Sequence, residues 1–309
     1  MNFIAGSFIM SIPQYFSFQK FLEYLQFEKR YAQHTIISYK TDLSQFVDYL
    51  QSTYDGIALN DVKAPVVRSW LASLRENKMT AKSINRKIST LKSYYKFTMR
   101  IGEIQQSPMV TIVSPKIQKR LPSFVSETAM ATLQNHVEFS EDWKGQTSKL
   151  IIELLYATGM RLNELITLKS SNIDFYNNQV KVLGKGNKER IIPVSKDLMN
   201  LVQQYQVAKA EKALKNEQDH LLVNENGKSL YPKYVYLIVK QNLGYITTIN
   251  KKSPHILRHT FATHLTNNGA DLNAVKELLG HASLAATQVY THNTIDKLKD
   301  IHKQAHPKA

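Results

Sequence analysis

A proline-containing basic segment divides the chain into two parts. The stretch QQSPMVTIVSPKIQKRLPSF, residues 105–124, carries Pro108, Pro115 and Pro122 among several basic side chains. Because proline lacks a backbone donor and disfavours helix, this composition is typical of a linker. A length of 309 residues also suits two domains. We therefore predict a helical first domain over residues 12–106, a linker over residues 107–122 and a second domain over residues 123–309.

The charge and the cysteine content limit which partners and which cellular compartment are possible. The formal net charge is +15 and the chain contains no cysteine. A positive field of this size concentrates polyanions near the surface, and nucleic acid is the leading candidate over a merely basic protein. The absence of cysteine excludes disulfides and fits a reducing compartment. No apolar run approaches the roughly 18 residues of a membrane span, so we expect a cytoplasmic protein that does not use a membrane.

One predicted helix of the first domain has a basic face. In AKSINRKISTLKSYYKFTMR, residues 81–100, the basic side chains fall within an arc of about 120° at helical spacing, and no acidic residue interrupts them. These residues are Lys82, Arg86, Lys92, Lys96 and Arg100. The opposite side, which we expect to pack, carries Ile84, Ile88, Leu91, Tyr95 and Met99. We predict that the basic face contacts DNA, the alternative being a solvated surface. Thr35 and Thr80 occupy positions typical of helix N-caps.

The second domain is predicted to be mostly α with one small β-sheet. The stretch NQVKVLGKGNKERIIPVS alternates apolar and polar residues around a glycine-containing turn, which indicates a β-hairpin. A further short strand is predicted at residues 220–224. One helix is predicted to start near Glu127, a second to cover residues 147–158 and end at Gly159, and a third to be formed by RLNELITLKSS. Further helices are predicted over residues 195–215, 231–243, 254–268, 271–279, 283–291 and 294–304.

Four segments of the second domain carry unusual polar residues. Arg161 and Glu164 would share one helix face, so the carboxylate can hold the guanidinium, although taken alone they could be a surface ion pair. Lys185 lies at the predicted hairpin tip between two glycines and does not fit a nucleotide-binding loop. His255 and Arg258 are three residues apart on another helix. His259 and His264, taken singly, are expected to be core or capping histidines, because the metalloprotease zinc pattern fails there.

The fourth segment, LLGHASLAATQVYTH, places His281 nine residues before Tyr290. Two arginines, two histidines, a lysine and a tyrosine suit transfer of a phosphodiester to a phenol. The guanidinium groups can clamp the non-bridging oxygens and stabilise the transition state. The phenol, with a pKa near 10, needs activation, and the lysine can protonate the departing alkoxide. Such chemistry requires neither a metal nor ATP.

The order of these residues resembles the tyrosine recombinase family of phage-integrase type, and within it the bacterial Xer-type recombinases. The motifs TGMRLNEL, GKGNKER, HILRHTFATHL and LLGHASLAATQVYTH carry the resemblance, which covers nearly the whole chain. It implies a SAM-like core-binding domain followed by a catalytic domain. It implies that Tyr290 is the nucleophile, that Arg161 and Arg258 bind the phosphate, and that Lys185 is the general acid. His255 would assist proton transfer, His281 would hydrogen-bond the phosphate, and Glu164 would orient the arginines.

The resemblance also implies partners. Two domains would clamp a duplex recombination site, and four identical or mixed protomers would assemble on two sites. An activating protein and a location at the nucleoid belong to the same expectation. The apolar positions Ile295, Leu298 and Ile301 lie at helix spacing in the tail, which we predict docks on a neighbour, the alternative being packing within its own subunit. The alternatives are a relative that binds DNA without cutting it, a type IB topoisomerase, and a mobile-element integrase rather than a chromosome dimer resolvase.

Overall fold

The computed structural model describes residues 2–4, 9–117, 123–184, 189–214 and 218–280. The chain forms two compact units, Met1–Arg120 and Leu121–Ala309. Within the described residues, mostly helical structure is accompanied by a short N-terminal strand pair and one three-stranded sheet. The predicted fold class, mostly α with a small β-sheet, is confirmed. No helix in these ranges has the length and apolar character needed to cross a bilayer.

The first unit is a helical bundle. Strands β1 (Asn2–Ile4) and β2 (Ile9–Ser11) pair antiparallel and lead into α1 (Ile12–Glu23), which continues as a π-helical turn over Tyr24–Glu28. There follow α2 (Gln33–Thr53), a 3₁₀ turn (Leu59–Asp61), α3 (Ala64–Glu76) and α4 (Ala81–Arg100).

Aromatic side chains fill the core of the first unit. Phe46 of α2 lies against Trp70 of α3, with 4.7 Å between ring centroids, and both are buried. Tyr94 and Tyr95 of α4 are also fully buried. The predicted N-cap is confirmed at Thr80, whose hydroxyl accepts from the backbone N–H of Ser83 at 3.3 Å. The prediction is wrong at Thr35, because α2 begins at Gln33 and Thr35 lies inside its first turn.

The second unit is a helical layer with a small antiparallel sheet of order β3-β4-β5. Its first helices are α5 (Glu127–Asn135), α6 (Trp143–Thr158) and the short α7 (Leu162–Ile166), followed by a 3₁₀ turn over Ser170–Asn172. The strands are β3 (Ile173–Asp174), β4 (Gln179–Leu183) and β5 (Glu189–Pro193). The remaining helices are α8 (Lys196–Glu211), α9 (Pro232–Ile246), α10 (Pro254–Asn267) and α11 (Leu272–Leu279).

Helix α6 is the buried axis of the second unit, and its end positions the site. Asp142 caps its start by accepting from the backbone N–H of Gly145 at 2.7 Å, which places the start before the predicted residue 147. The helix ends at Gly159, which has φ of +58°. A Cβ atom there would lie 2.4 Å from the ring of Phe261 on α10. Glycine therefore allows the chain to turn tightly against α10 immediately before Arg161.

Two predicted elements differ from those of the structure, and two others lie outside the described residues. Residues 220–224 form no strand, because only isolated bridges occur there, between Lys169 and His220 and between Val223 and Ser229. Their apolar side chains are buried in the core without a paired neighbouring strand. A short buried apolar run has the same sequence pattern as a strand, which explains the wrong prediction. The helix expected from RLNELITLKSS is only the five residues of α7. The helices predicted over 283–291 and 294–304 lie outside the described residues.

Candidate active site

Arg161 and Glu164 form a local unit at the start of α7. Arg161 occupies the N-cap position, and its backbone N–H donates to Oε2 of Glu164 at 2.7 Å. Its side-chain Nη1 donates to Oε1 of the same carboxylate at 2.8 Å. The Glu164 side chain is 5% exposed and that of Arg161 is 37% exposed. The pair is therefore a buried carboxylate holding a guanidinium that reaches the surface, rather than a surface ion pair.

Arg190 of β5 completes this unit, and sequence reasoning missed it. Its Nη1 and Nη2 donate to the two oxygens of Glu164 at 3.0 and 2.7 Å, in a bidentate ion pair, and its side chain is 4% exposed. A signal was present, because Arg190 alternates in phase with the buried Ile192 along the strand. A charged residue at an inward-facing strand position requires a buried partner, and Glu164 is that partner.

Arg258 of α10 lies in the same region. It is buried, and its Nη1 donates to the carbonyl oxygen of Gly159 at 2.7 Å while Nη2 donates to that of Leu279 at 2.7 Å. Burial lowers the pKa of Arg258 to about 10, and the positive charges of Arg161 and Arg190 act in the same direction. Arg258 therefore remains protonated at neutral pH while carrying an electrostatic cost that an anion would relieve.

We call Arg161, Arg190 and Arg258 the arginine cluster. Among the described residues, the carboxylate of Glu164 is the one that pairs with it. Burial by itself raises the pKa of Glu164, but the hydrogen bonds and charge of Arg190 and the bonds from Arg161 outweigh it, so the pKa lies below its usual value. The carboxylate is thus ionised at neutral pH. Three guanidinium groups against one carboxylate leave an excess of positive charge, which suits a phosphate group.

The histidines of α10 divide into exposed and buried ones. His255, three residues before Arg258, is exposed, and its ring centroid is 4.9 Å from that of His259. His259 is exposed as well, so its predicted core or capping role is wrong. The prediction is confirmed for His264, whose Nδ1 lies 3.0 Å from the hydroxyl of Tyr156 and whose Nε2 lies 2.9 Å from the carbonyl of Val125. Across the described ranges, no three His, Asp or Glu side chains converge as metal ligands.

Three predicted site residues, Lys185, His281 and Tyr290, lie outside the described residues. The elements next to two of them are described. Strands β4 and β5 pair up to Leu183 and Glu189, on either side of the segment that contains Lys185. Helix α11 ends at Gly280, which has φ of +62°, and the carbonyl oxygen of Gly280 accepts from Nη2 of Arg161 at 3.1 Å. The residue that precedes His281 is thus bound to the arginine cluster.

The basic face of α4 is less uniform than the helical wheel predicts. Arg86 pairs with Asp42 at 2.6 Å and Arg100 pairs with Glu28 at 2.8 Å, so two of its charges are partly neutralised by α2 and by the π-helical turn. A wheel drawn for one helix does not include partners from its neighbours.

The rest of the α4 face divides into exposed and buried side chains. Lys82, Lys92 and Lys96 are exposed and form no ion pair within the described ranges. Met99, expected to pack, is 42% exposed. The neighbouring Lys87, which the wheel did not single out, is buried against Asp42 at 2.8 Å. Within the described ranges, the three exposed lysines are therefore the charges of this face that no ion pair neutralises.

Comparison with known proteins defines the family. Residues 119–297 match the model of the Phage integrase family, and residues 18–102 match that of the Phage integrase N-terminal SAM-like domain. The chain is 38% identical to Tyrosine recombinase XerC of Staphylococcus aureus (strain MRSA252) over 291 residues, which is 94% of this chain and 96% of that protein. It is 40% identical to Tyrosine recombinase XerC of Staphylococcus epidermidis, over 94% of this chain and 97% of that protein.

Solved structures share the fold. The XerH site-specific recombinase bound to its difH substrate, in a pre-cleavage complex, superposes with a TM-score of 0.68 at 23% identity, over 92% of this chain and 82% of that one. A lambda integrase dimer bound to a COC' core site gives 0.66 at 17% identity, over 89% and 98% of the two chains. The protein belongs to the phage integrase family and is a site-specific tyrosine recombinase of the Xer type.

Proposed function

We propose that the chain cleaves and rejoins duplex DNA through a covalent bond between Tyr290 and a 3′ phosphate, in a reaction of the kind that resolves chromosome dimers. The observation that carries the proposal is the arginine cluster, which brings together three guanidinium groups, two of them buried, and, within the described residues, the one carboxylate of Glu164. The excess of positive charge is suited to one phosphate of the DNA backbone. The curated relatives named XerC support the Xer-type assignment over a mobile-element integrase.

The first step is capture of the scissile phosphate. Arg161 and Arg258 donate to its two non-bridging oxygens, and Glu164 keeps Arg161 in place. Because these donors are already oriented by the protein, they stabilise the extra negative charge of the pentavalent transition state without a further cost of reorganisation. His281 adds a hydrogen bond to the same phosphate. Electrostatic stabilisation by fixed guanidinium groups takes the part that a metal ion plays in other phosphoryl transfers.

The chemical step exchanges one ester for another. The phenolic oxygen of Tyr290 attacks the phosphorus and the bond to the 5′ oxygen breaks. The proton of the phenol passes towards His255, and Lys185 gives a proton to the departing 5′ oxygen, which leaves as a hydroxyl. Rejoining is the reverse reaction, with a 5′ hydroxyl attacking the phosphotyrosine. The number of phosphate ester bonds stays constant, so no ATP is consumed.

The proposed DNA-binding residues of the first unit are on α4. They are Lys82, Arg86, Lys92, Lys96 and Arg100. The three lysines carry the strongest support, because they are exposed without an ion pair in the described ranges. Contacts of lysine and arginine with phosphates release counterions and make affinity depend on salt. These contacts position the protein on the duplex, and sequence is read elsewhere by contacts to base edges.

We further propose that four protomers, identical or mixed with a second recombinase, assemble on two DNA sites. The tail after Tyr290, with Ile295, Leu298 and Ile301, would dock on a neighbouring protomer and so couple cleavage to assembly. An activating protein could act through the same contact. The proposed location is the nucleoid of the cytoplasm, where the DNA is.

A plasmid assay tests this function. A binding site is first selected from a library of genomic fragments, and two copies are placed in direct repeat on a supercoiled plasmid. We expect the wild type to excise the intervening DNA. Relaxation of supercoils without excision would instead indicate a topoisomerase, and binding without any strand breakage would indicate a relative that does not cut. A selected site at the end of a mobile element, rather than one chromosomal site, would favour an integrase.

A further inference from the structure

The arginine cluster binds three consecutive backbone carbonyls at the end of α11. Nε of Arg190 donates to the carbonyl oxygen of Leu278 at 2.8 Å, and Nη2 of Arg258 donates to that of Leu279 at 2.7 Å. Nη2 of Arg161 donates to that of Gly280 at 3.1 Å. The last carbonyls of a helix lack intrahelical partners and carry its negative end, so cations are favourable there. His281 is the next residue in the sequence, and Tyr290 follows nine residues after it.

Arg190 differs from Arg161 in its burial, and from Arg258 in that it pairs with a carboxylate rather than donating only to backbone carbonyls. All three of its donor nitrogens bond within the protein, two to Glu164 and one to Leu278. Its surroundings are closed as well, since a Cβ atom at Gly280 would lie 3.1 Å from its Cδ. Its side chain is 4% exposed, against 37% for Arg161. The bidentate ion pair with Glu164 neutralises the charge of Arg190, whereas Arg258 donates to uncharged carbonyls, so we assign the phosphate to Arg161 and Arg258 and not to Arg190.

Glu164 depends on Arg190 for its orientation. The carboxylate accepts four hydrogen bonds, two from Arg190 and two from Arg161. Arg190 is anchored on strand β5, while the side chain of Arg161 reaches the surface. The planar guanidinium of Arg190 fixes both oxygens at once, which a point charge does not do. Without it, the carboxylate would be free to follow the more exposed Arg161.

We propose that Arg190 is a positioning residue of the cleavage reaction, which acts through Glu164 on Arg161 and through Leu278 on the end of α11. The inference rests on the proposed function. In this proposal, the buried side chain of Arg190 keeps Arg161 aligned with the end of α11, the helix that precedes His281 and Tyr290 in the sequence. Displacement of reacting groups by about 1 Å can cost about 100-fold in rate. Loss of this alignment should therefore slow the chemical step and leave DNA affinity largely unchanged.

The test compares Arg190→Lys with Arg68→Lys in single-turnover cleavage of a nicked duplex that carries the selected site. Arg68 is an exposed arginine of α3 whose side chain donates to Thr111 at 3.2 Å, so it is a matched control for the substitution. The fitted rate constant, the amplitude and the affinity for DNA are measured separately, the last in a Tyr290→Phe background. For Arg190→Lys we expect a rate constant lower by about 100-fold, with amplitude and affinity within about threefold of wild type. Arg68→Lys should match wild type in all three.

A second comparison keeps the inference testable if Arg190→Lys folds poorly. Removing both partners of a buried pair avoids an unpaired buried charge, so Arg190→Met with Glu164→Gln should fold better than Arg190→Met alone. If Arg190 acts through Glu164, the double variant should cleave no more than about threefold slower than Glu164→Gln alone, because the two losses are not independent.

Three results would overturn the inference. They are a wild-type rate constant for Arg190→Lys, a loss confined to amplitude or affinity, and losses that multiply in the double variant. Failure of the wild type to form any adduct would instead reject the proposed function, and this inference with it. A wild-type adduct together with any of the three results rejects the inference alone.

Discussion

Replacement of Glu164 by glutamine should weaken the second unit and leave the first unchanged. The carboxylate is almost fully buried and accepts four hydrogen bonds of 2.7–3.0 Å from two arginines. Glutamine retains the shape but has one acceptor oxygen and no charge. Removing one partner from a buried ion pair costs about 3–5 kcal/mol, because the remaining charge is uncompensated. We expect a loss near the lower limit, about 3 kcal/mol, since one oxygen remains.

The two tryptophans of the chain allow each unit to be followed separately. Trp70 is buried in the first unit and Trp143 is buried in the second. Urea unfolding of the full chain labelled with 5-fluorotryptophan, observed by ¹⁹F NMR, gives one resonance for each. In Glu164→Gln, the unfolding transition reported by Trp143 should move to a lower urea concentration, and the midpoint of the transition reported by Trp70 should not change.

The matched control is Glu189→Gln. Glu189 also pairs with a cation, Lys181 at 2.8 Å, but its side chain is 54% exposed. An exposed pair of this kind contributes about 0–1 kcal/mol. A decrease in stability for Glu164→Gln no larger than that for the control would refute the idea that burial makes the Glu164 network strong.

The same variant has a defined pH dependence. The pKa of Glu164 in the folded chain lies below its ordinary value of 4.5, because the hydrogen bonds and charge of Arg190 and the hydrogen bonds from Arg161 outweigh the effect of burial. A lowered pKa adds stability that is complete above pH 4.5 and is lost as the pH falls through the folded value. The stability difference between wild type and Glu164→Gln should therefore narrow on acidification. A difference that stays constant down to the folded pKa would contradict the ionised carboxylate.

Three further predictions concern DNA binding, catalysis and stability. Replacing Lys92 and Lys96 by glutamate should weaken DNA affinity. In a salt titration, the slope of log affinity against log salt should become shallower by about 0.9 for each phosphate that the variant no longer neutralises. An unaltered slope would reject the α4 contact. Lys185→Ala should slow cleavage and spare binding, and an unchanged cleavage rate would remove its role as acid. Asp42→Ala should shift the Trp70 transition but not that of Trp143, because it leaves the buried Lys87 unpaired, and equal stability to wild type would contradict this.

The fold could be predicted wherever local signals agreed with packing. Apolar periodicity located α8 to α11, and the glycine-centred alternation located the β4–β5 hairpin. The strand predicted at residues 220–224 was wrong, because a buried apolar run has the same composition whether or not it pairs with a neighbouring strand. The core or capping role predicted for His259 was wrong, because one helix can expose one histidine and bury another five residues later.

The candidate site was partly readable from the sequence. The Arg161–Glu164 pair follows from i,i+3 spacing, which depends only on helix geometry. Arg190 was missed because its partners come from α7 and α11, far away in sequence. The pairing of Arg86 with Asp42 was missed for the same reason. Contacts between distant segments are set by the tertiary fold, and spacing along one element does not contain them.

The most direct test of the central claim asks whether Tyr290 forms a covalent bond with DNA. Wild type and Tyr290→Phe are incubated in EDTA with a nicked duplex that carries the selected site, and the products are denatured and separated. We predict a denaturant-resistant adduct with the wild type only, and mass spectrometry should locate the nucleotide on Tyr290. An adduct that persists in Tyr290→Phe, or strand cleavage that stops when EDTA is added, would contradict the proposed mechanism.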